Sequence, residues 1–124
     1  MRYAARLGVT LVCLSLLTGA AAHAQINPFQ QTRRGPRLSA EDNRLLLDSV
    51  ERLNTAEPVR AGSADSWTNP ETRSSGTSTI ERVFRAHGQP CHRIVHHIVV
   101  SGRTPGTDYR LTWCRTPSGA WKAK

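Results

Sequence analysis

The sequence lacks an apolar run long enough to cross a bilayer. Its longest, Leu7 to Leu17, spans eleven positions, whereas a transmembrane helix needs about 20. The run follows two arginines, Arg2 and Arg6, and precedes small residues that end in Ala-His-Ala. This order is typical of a secretory signal peptide, with an uncleaved anchor as the alternative. We therefore expect residues 1–24 to be removed, no transmembrane span to remain, and the product to reach the periplasm, outer membrane or cell surface.

Cysteine is scarce as well. Of the three cysteines, Cys13 lies inside the apolar run, and no cysteine follows the small residues at the cleavage site, which excludes the usual lipoprotein signal. Cys91 and Cys114 remain, and an even pair in an exported domain predicts a disulfide, with two free thiols as the alternative. In the chain-entropy model, a bond closing a loop of this size contributes roughly 3 kcal/mol.

Motifs of common enzyme classes are missing. The sequence contains no G-x-S-x-G or S-x-x-K nucleophile motif and no G-x-x-x-x-G-K-[ST] phosphate loop. Its nine acidic residues show no paired spacing. Since catalytic groups also assemble from distant positions, these absences do not exclude an enzyme. We expect a protein without catalytic residues or cofactor.

Histidine forms the one suggestive cluster, at His92, His96 and His97. Two imidazoles can bind Zn²⁺ or Cu²⁺, but a site needs three or four ligands. A small periplasmic enzyme or metal-binding protein using these histidines is therefore the alternative function. Otherwise they pack or face water on a half-exposed strand, where His96 and His97 would become charged near pH 6.

Acidic residues are few relative to basic ones. Nine Asp and Glu oppose 17 Lys and Arg, giving a net charge of +8, which falls to +6 when Arg2 and Arg6 are removed. Outside the cytoplasm, such a chain would meet lipid headgroups, lipopolysaccharide or peptidoglycan rather than nucleic acid. Residues 25–38 hold two prolines, a glycine and few residues suited to a core, which predicts a flexible basic arm. The candidates for binding an anionic surface are Arg33, Arg34 and Arg37, and a merely solvated leader is the alternative.

The remainder, residues 39–124, predicts an α+β domain. Ser39 is a suitable N-cap for a helix over 39–55, in which Leu46, Val50 and Leu53 form one apolar face. After Gly62 the composition changes to β-branched and aromatic residues separated by Gly and Pro turns. This pattern predicts an antiparallel meander of four or five strands within 63–123, at 63–68, 77–86, 91–100, 109–115 and a short last strand from Trp121.

The predicted disulfide suggests how the two central strands pair. If Cys91 faces Cys114 directly, three further pairs follow: His92 with Trp113, Ile94 with Leu111, and His96 with Tyr109. One face would then carry Ile94, Ile98, Leu111 and Trp113, because strand side chains alternate, and the apolar face of the helix would cover it. Directly opposed cysteines lie at the short end of the disulfide range, so an offset of one step stays open.

The segment from Trp67 to Trp121 resembles the C-terminal domain of the bacterial 17-kilodalton surface antigen family. That family has a W-x-N-P turn, a following glycine, G-x-x-C-R, a second C-R and a D-G-x-W ending. The matching residues here are Trp67-Thr68-Asn69-Pro70, Gly76, Gly88-Gln89-Pro90-Cys91-His92-Arg93, Trp113-Cys114-Arg115 and Pro117-Ser118-Gly119-Ala120-Trp121.

The resemblance implies a surface or outer-membrane-associated protein with no established activity, and it names no catalytic residue. Two family features, a lipoprotein cysteine and a glycine zipper, are absent here, and the sequence has His92 and Ser118 where the family has Arg and Asp. Each shared residue also has an ordinary structural use. Large tryptophans pack, and Gly76, Gly88 and Gly119 permit unusual backbone angles. We therefore expect a fold signature and an exported, non-enzymatic envelope module.

Overall fold

The structure, a computed structural model, describes residues 27–29 and 35–124. The predicted signal peptide, Arg33 and Arg34 lie outside the described residues. Helix α1 spans Ala40–Thr55 and is followed by five strands: β1 (Ala64–Asn69), β2 (Ser74–Ala86), β3 (Gln89–Val99), β4 (Thr107–Arg115) and β5 (Trp121–Ala123). The strands form one antiparallel sheet in chain order. The predicted α+β fold, one helix on a small meander, is confirmed.

Helix α1 begins at the predicted cap. The Ser39 Oγ accepts a hydrogen bond from the Asp42 N–H, and the Asp42 carboxylate accepts one from the Ser39 N–H, each at 3.0 Å. This reciprocal pair satisfies two N–H groups that a helix start would otherwise leave free. The apolar residues Leu46, Val50 and Leu53 are all buried. None of the described helical residues forms a segment long and apolar enough to cross a bilayer.

Strands β3 and β4 pair as the disulfide suggested. Cys91 lies directly opposite Cys114, with their Cα atoms 4.1 Å apart, and the bond between them is formed. No offset of one residue occurs, so His92 faces Trp113, and the other predicted pairs follow. The face toward the helix, which we call the inner face, therefore carries Ile94 and Ile98, while the disulfide lies on the outer face.

The turn between β2 and β3 is shorter than predicted. The strands predicted at 77–86 and 91–100 leave four residues, 87–90, between them, but only His87 and Gly88 form the turn, with φ angles of 50° and 74°. Both angles lie in the left-handed region, which a two-residue hairpin turn requires and which glycine adopts easily. Gln89 and Pro90 instead continue β3 by pairing with Ala86 and Arg85.

The segment predicted to be a basic arm with few core residues, 25–38, contributes one residue to the core, Phe29. Helix α1 lies mainly against β1 and β2, and another residue covers the part of the inner face around His96 and Tyr109. Phe29 takes this place, since it is 4% exposed and packs edge-on against the rings of His96 and Tyr109, with centroid distances of 5.0 and 6.3 Å. Asn27 adds a hydrogen bond from its Nδ2 to the Asn43 Oδ1 of the helix, at 2.7 Å.

Candidate functional site

The three clustered histidines do not form one site. His92 and His96 lie on the inner face and are 3% and 0% exposed, whereas His97 is exposed on the outer face. This follows from strand geometry, because adjacent residues point to opposite sides of a sheet. Among the described residues, no three His, Cys, Asp or Glu side chains converge as metal ligands. The geometry therefore does not support a metal site built from all three histidines.

His96 has both ring nitrogens in hydrogen bonds. The Trp113 Nε1–H donates to the His96 Nε2 at 3.1 Å, and the His96 Nδ1 lies 2.7 Å from the Ser78 Oγ. Since indole nitrogen can only donate, Nε2 must accept, and the neutral ring carries its proton on Nδ1. Ser78 then accepts that proton in a hydrogen bond. The ring is held neutral between two partners and beneath Phe29.

Burial lowers the pKa of His96 to about 3. A charged ring would lose its water shell without gaining a carboxylate partner, and it would point a second N–H at the indole N–H of Trp113. The expectation that His96 becomes charged near pH 6 is therefore wrong, because it treated the strand as half exposed. His96 is a fully buried polar residue with both ring nitrogens in hydrogen bonds.

His92 is the second buried histidine of β3, and it lies near the C-terminal end of helix α1. Its Nδ1 donates to the Asn54 Oδ1 at 2.7 Å, and its ring stacks on that of Trp121, with centroids 4.3 Å apart. Burial lowers the pKa of His92 below its ordinary value. The contact with Trp121 explains why the last motif of the sequence needs an aromatic residue: β5 is only three residues long, and this stack attaches it to the core.

His97 and Asp108 form a histidine–carboxylate pair, an arrangement that resembles part of a catalytic triad. The His97 Nδ1 lies 2.6 Å from the Asp108 Oδ1, which orients the ring as the carboxylate of a triad would. A nucleophile would need to meet the other nitrogen, Nε2. In the described part of the chain that nitrogen has no hydrogen-bonded hydroxyl or thiol partner, and it lies beside Gly106 instead, 3.0 Å from where a Cβ would stand. The pair is an exposed contact between β3 and β4.

The Trp-x-Asn-Pro motif serves to join the helix to the sheet. The carboxylate of Asp42, which is 1% exposed, accepts hydrogen bonds from the Asn69 Nδ2 and the Thr72 Oγ1, both at 2.7 Å, in addition to that from Ser39. Burial alone would raise the pKa of Asp42, but the hydrogen bonds from Thr72, Ser39 and Asn69 together lower it. Asn69 thus fixes the β1–β2 turn against the first turn of α1.

The side chain of Trp67 is the reason that position 76, after the motif, is a glycine. Gly76 is paired directly with Trp67 across β1 and β2, and a Cβ on Gly76 would stand 2.5 Å from the Trp67 Nε1. Gly76 does not have a left-handed backbone, so the prediction that it permits an unusual angle is wrong. It is needed because the indole lies flat against its backbone. Gly88 and Gly119, with φ angles of 74° and 91°, do have the predicted conformation.

Of the three arm arginines, the structure describes only Arg37. Its side chain is exposed and lines a shallow groove of about 290 Å³ together with Arg103 and Tyr109, over a floor formed by Ile98 and Val100. A second groove, of about 460 Å³, lies at the β2–β3 turn and the segment after β4. Neither groove contains a histidine–carboxylate pair or a hydrogen-bonded nucleophile.

The outer face of the sheet carries basic residues that sequence reasoning missed. A β-bulge between Ile80 and Arg82 shifts the alternation of β2 by one residue, which places Arg82 directly opposite Arg93 of β3. Lys122 of β5 pairs with Cys114 on the same face. We call Arg82, Arg93 and Lys122 the basic sheet face. Without knowledge of the bulge, period-two alternation would have put Arg82 on the inner face with Ile80.

Charge is unevenly distributed along the described chain. Residues 35–71 contain four arginines and seven acidic residues, a net charge of −3, whereas residues 73–124 contain nine basic and two acidic residues, a net charge of +7. The first set forms the helix and β1, and the second forms β2 to β5. The acidic part of the described chain is therefore the helix with β1, and the basic part is β2 to β5.

Comparisons with protein-family models, curated proteins and solved structures found no match for this chain.

Proposed function

We propose that this protein is an exported, non-enzymatic module of the cell envelope, similar to the 17-kilodalton surface antigens, that binds an anionic component of the outer membrane or cell surface. The observation that carries the proposal is the separation of charge, with net +7 over residues 73–124 and −3 over residues 35–71. A molecule polarised in this way is drawn to an anionic surface and oriented by it.

The use of the polar core residues supports a non-enzymatic role. His92 and His96, the buried groups best suited to proton transfer, each serve a structural hydrogen bond and have lowered pKa values. A general base works best with a pKa near the operating pH and with access to substrate. Neither buried histidine has that access.

The motif residues support the same proposal. Asn69 holds the helix through Asp42, Gly76 makes room for Trp67, and Trp121 stacks on His92. Each of these contacts accounts for the residue without a ligand, which supports the interpretation that the motif is a fold signature. Binding is then a property of the surface.

Fractionation combined with a binding assay tests the proposal. The chain is expressed in a bacterium with an outer membrane, and the compartments are separated. We expect the product in the envelope fraction, beginning at Gln25, and released from isolated envelopes by moderate salt. A full-length product in the cytoplasm, or a chain that does not bind isolated envelopes at low salt, would contradict the proposal.

A further inference from the structure

We propose that the basic sheet face, rather than the arm, is the surface that binds, and that its partner is the anionic headgroup layer of a lipid bilayer. This inference rests on the proposed function and deepens it. Arg82, Arg93 and Lys122 are all exposed and project from the face opposite the helix. None of the ion pairs among the described residues involves any of them.

The placement of Arg82 and Arg93 is unfavourable unless an anion joins them. They are directly opposed on neighbouring strands, which stand about 4.8 Å apart, and like charges in this position destabilise a sheet. The carboxylate of Glu81, which precedes Arg82 in the chain, is engaged with Arg110 at 3.1 Å. A phosphate between the two guanidinium groups would remove the repulsion and accept paired hydrogen bonds from each.

A disulfide and a cation–π contact constrain the basic sheet face. The Cys91–Cys114 disulfide, 0% and 2% exposed, lies on this face between β3 and β4, and Cys114 is the cross-strand neighbour of Lys122. The guanidinium of Arg82 lies 5.2 Å from the centre of the Phe84 ring, which limits its freedom through a cation–π contact. Less conformational entropy is therefore lost when these side chains meet an anion.

The form of the surface favours a bilayer over other anionic partners. The three cations are spread over β2, β3 and β5, and none of them lines either of the two grooves described above. Single-stranded nucleic acid is bound largely by stacking on aromatic side chains, yet Val83 is the only exposed large hydrophobic side chain in the described part. Headgroups that move laterally can meet separated cations individually.

The electrostatics of the rest of the molecule orient it for the same contact. The acidic exposed side chains of the helix include Glu41, Asp48 and Glu51, and the helix covers the opposite face of the sheet. An anionic bilayer would repel that side and attract the basic sheet face. The arm arginines are not needed for this orientation.

Vesicle binding by matched variants tests the inference. The purified, disulfide-bonded protein is incubated with phosphatidylglycerol-containing vesicles at low and moderate salt, and binding is measured by sedimentation. One variant is R82Q/R93Q, and its control is R44Q/R60Q, which removes the same charge from helix α1 and the segment that follows it. Since each cation near an anionic surface is worth about 1 kcal/mol, neutralising two should weaken binding about 30-fold, whereas the control should weaken it less than threefold.

Two further variants complete the design. R82K/R93K keeps the charge and should retain salt-sensitive binding, and unchanged thermal unfolding shows that each variant is folded. The arm variant R33A/R34A/R37A should bind nearly as well as the parent protein. Equal losses in R82Q/R93Q and R44Q/R60Q would overturn the inference, because binding would then follow net charge alone. Loss confined to the arm variant would also overturn it.

The assay separates failure of the inference from failure of the proposed function. A protein that binds isolated envelopes but not vesicles would overturn the lipid partner and leave an envelope module standing. Binding to a soluble polyanion such as polyphosphate in preference to vesicles would overturn the lipid partner in the same way. No binding to vesicles or envelopes at low salt would overturn both.

Discussion

The neutral core histidine His96 makes the stability of the fold sensitive to acid. In the folded state, burial holds its pKa at about 3, against an ordinary value of 6.5. The unfolded chain therefore binds a proton between these values and the folded chain does not. A fall in pH favours the state that binds more protons, which here is the unfolded state. The contribution of neutral His96 to the free energy of unfolding is therefore fully present above pH 6.5 and is lost steadily below it.

The size of the stability loss follows from how far the pH lies below the unfolded-state pKa of 6.5. One pKa unit corresponds to about 1.4 kcal/mol, so at pH 5, which lies 1.5 units below 6.5, His96 alone should lower the free energy of unfolding by about 2 kcal/mol. His92, whose pKa is also lowered, acts in the same direction. Asp42 adds a loss only at more acidic pH, because its carboxyl begins to take up protons in the unfolded state near its ordinary value of 3.8.

Urea unfolding at pH 7, 6 and 5 measures this dependence. In His96→Gln, the amide can still accept from Trp113 and donate to Ser78, but it cannot bind a proton. We expect the variant to be less stable at pH 7 and to lose about 2 kcal/mol less than the parent protein between pH 7 and pH 5. His87→Asn, in the exposed turn, is the control and should leave the pH dependence unchanged. The reasoning fails if the His96 ring titrates near pH 6.5 by NMR, or if His96→Gln keeps the full slope.

Three further perturbations test the packing. Gly76→Ala should destabilise the protein by about 1–3 kcal/mol and alter tryptophan fluorescence, because the new methyl would displace the Trp67 indole; unchanged values would contradict that contact. Phe29→Ala should lower the free energy of unfolding by about 3 kcal/mol through loss of a buried ring, whereas a loss below about 0.5 kcal/mol would show that residues 27–29 do not anchor to the sheet. Replacing Cys91 and Cys114 with serine should cost about 3 kcal/mol, and peptide mapping without reductant should recover the pair linked in the parent protein.

Local patterns were sufficient to predict the helix and the strands. The cap at Ser39 and the spacing of Leu46, Val50 and Leu53 specify where the helix begins and which face it buries, since both signals lie within a few residues of each other. The pairing of β3 with β4 was predictable for a different reason. One covalent bond between Cys91 and Cys114 specifies the position of every other pair in a regular ladder.

The contacts that were missed connect positions distant in the chain. Phe29 reaches His96 across more than 60 residues of sequence, and no local composition signal distinguishes it from the residues around it. The burial of His96 depends on that same contact. The position of Arg82 on the basic sheet face could not be predicted because of the bulge after Ile80. A single extra residue reverses the side of the sheet to which Arg82 points.

A map of lipid contacts tests the central claim, that the basic sheet face meets an anionic bilayer. The ¹⁵N-labelled, disulfide-bonded protein is mixed with phosphatidylglycerol nanodiscs that carry a paramagnetic headgroup, and line broadening is measured residue by residue. We predict strong broadening around Arg82, Arg93 and Lys122, and little along helix α1 at Arg44. Broadening centred on Arg37 or on the helix, or spread evenly over the surface, would contradict the claim.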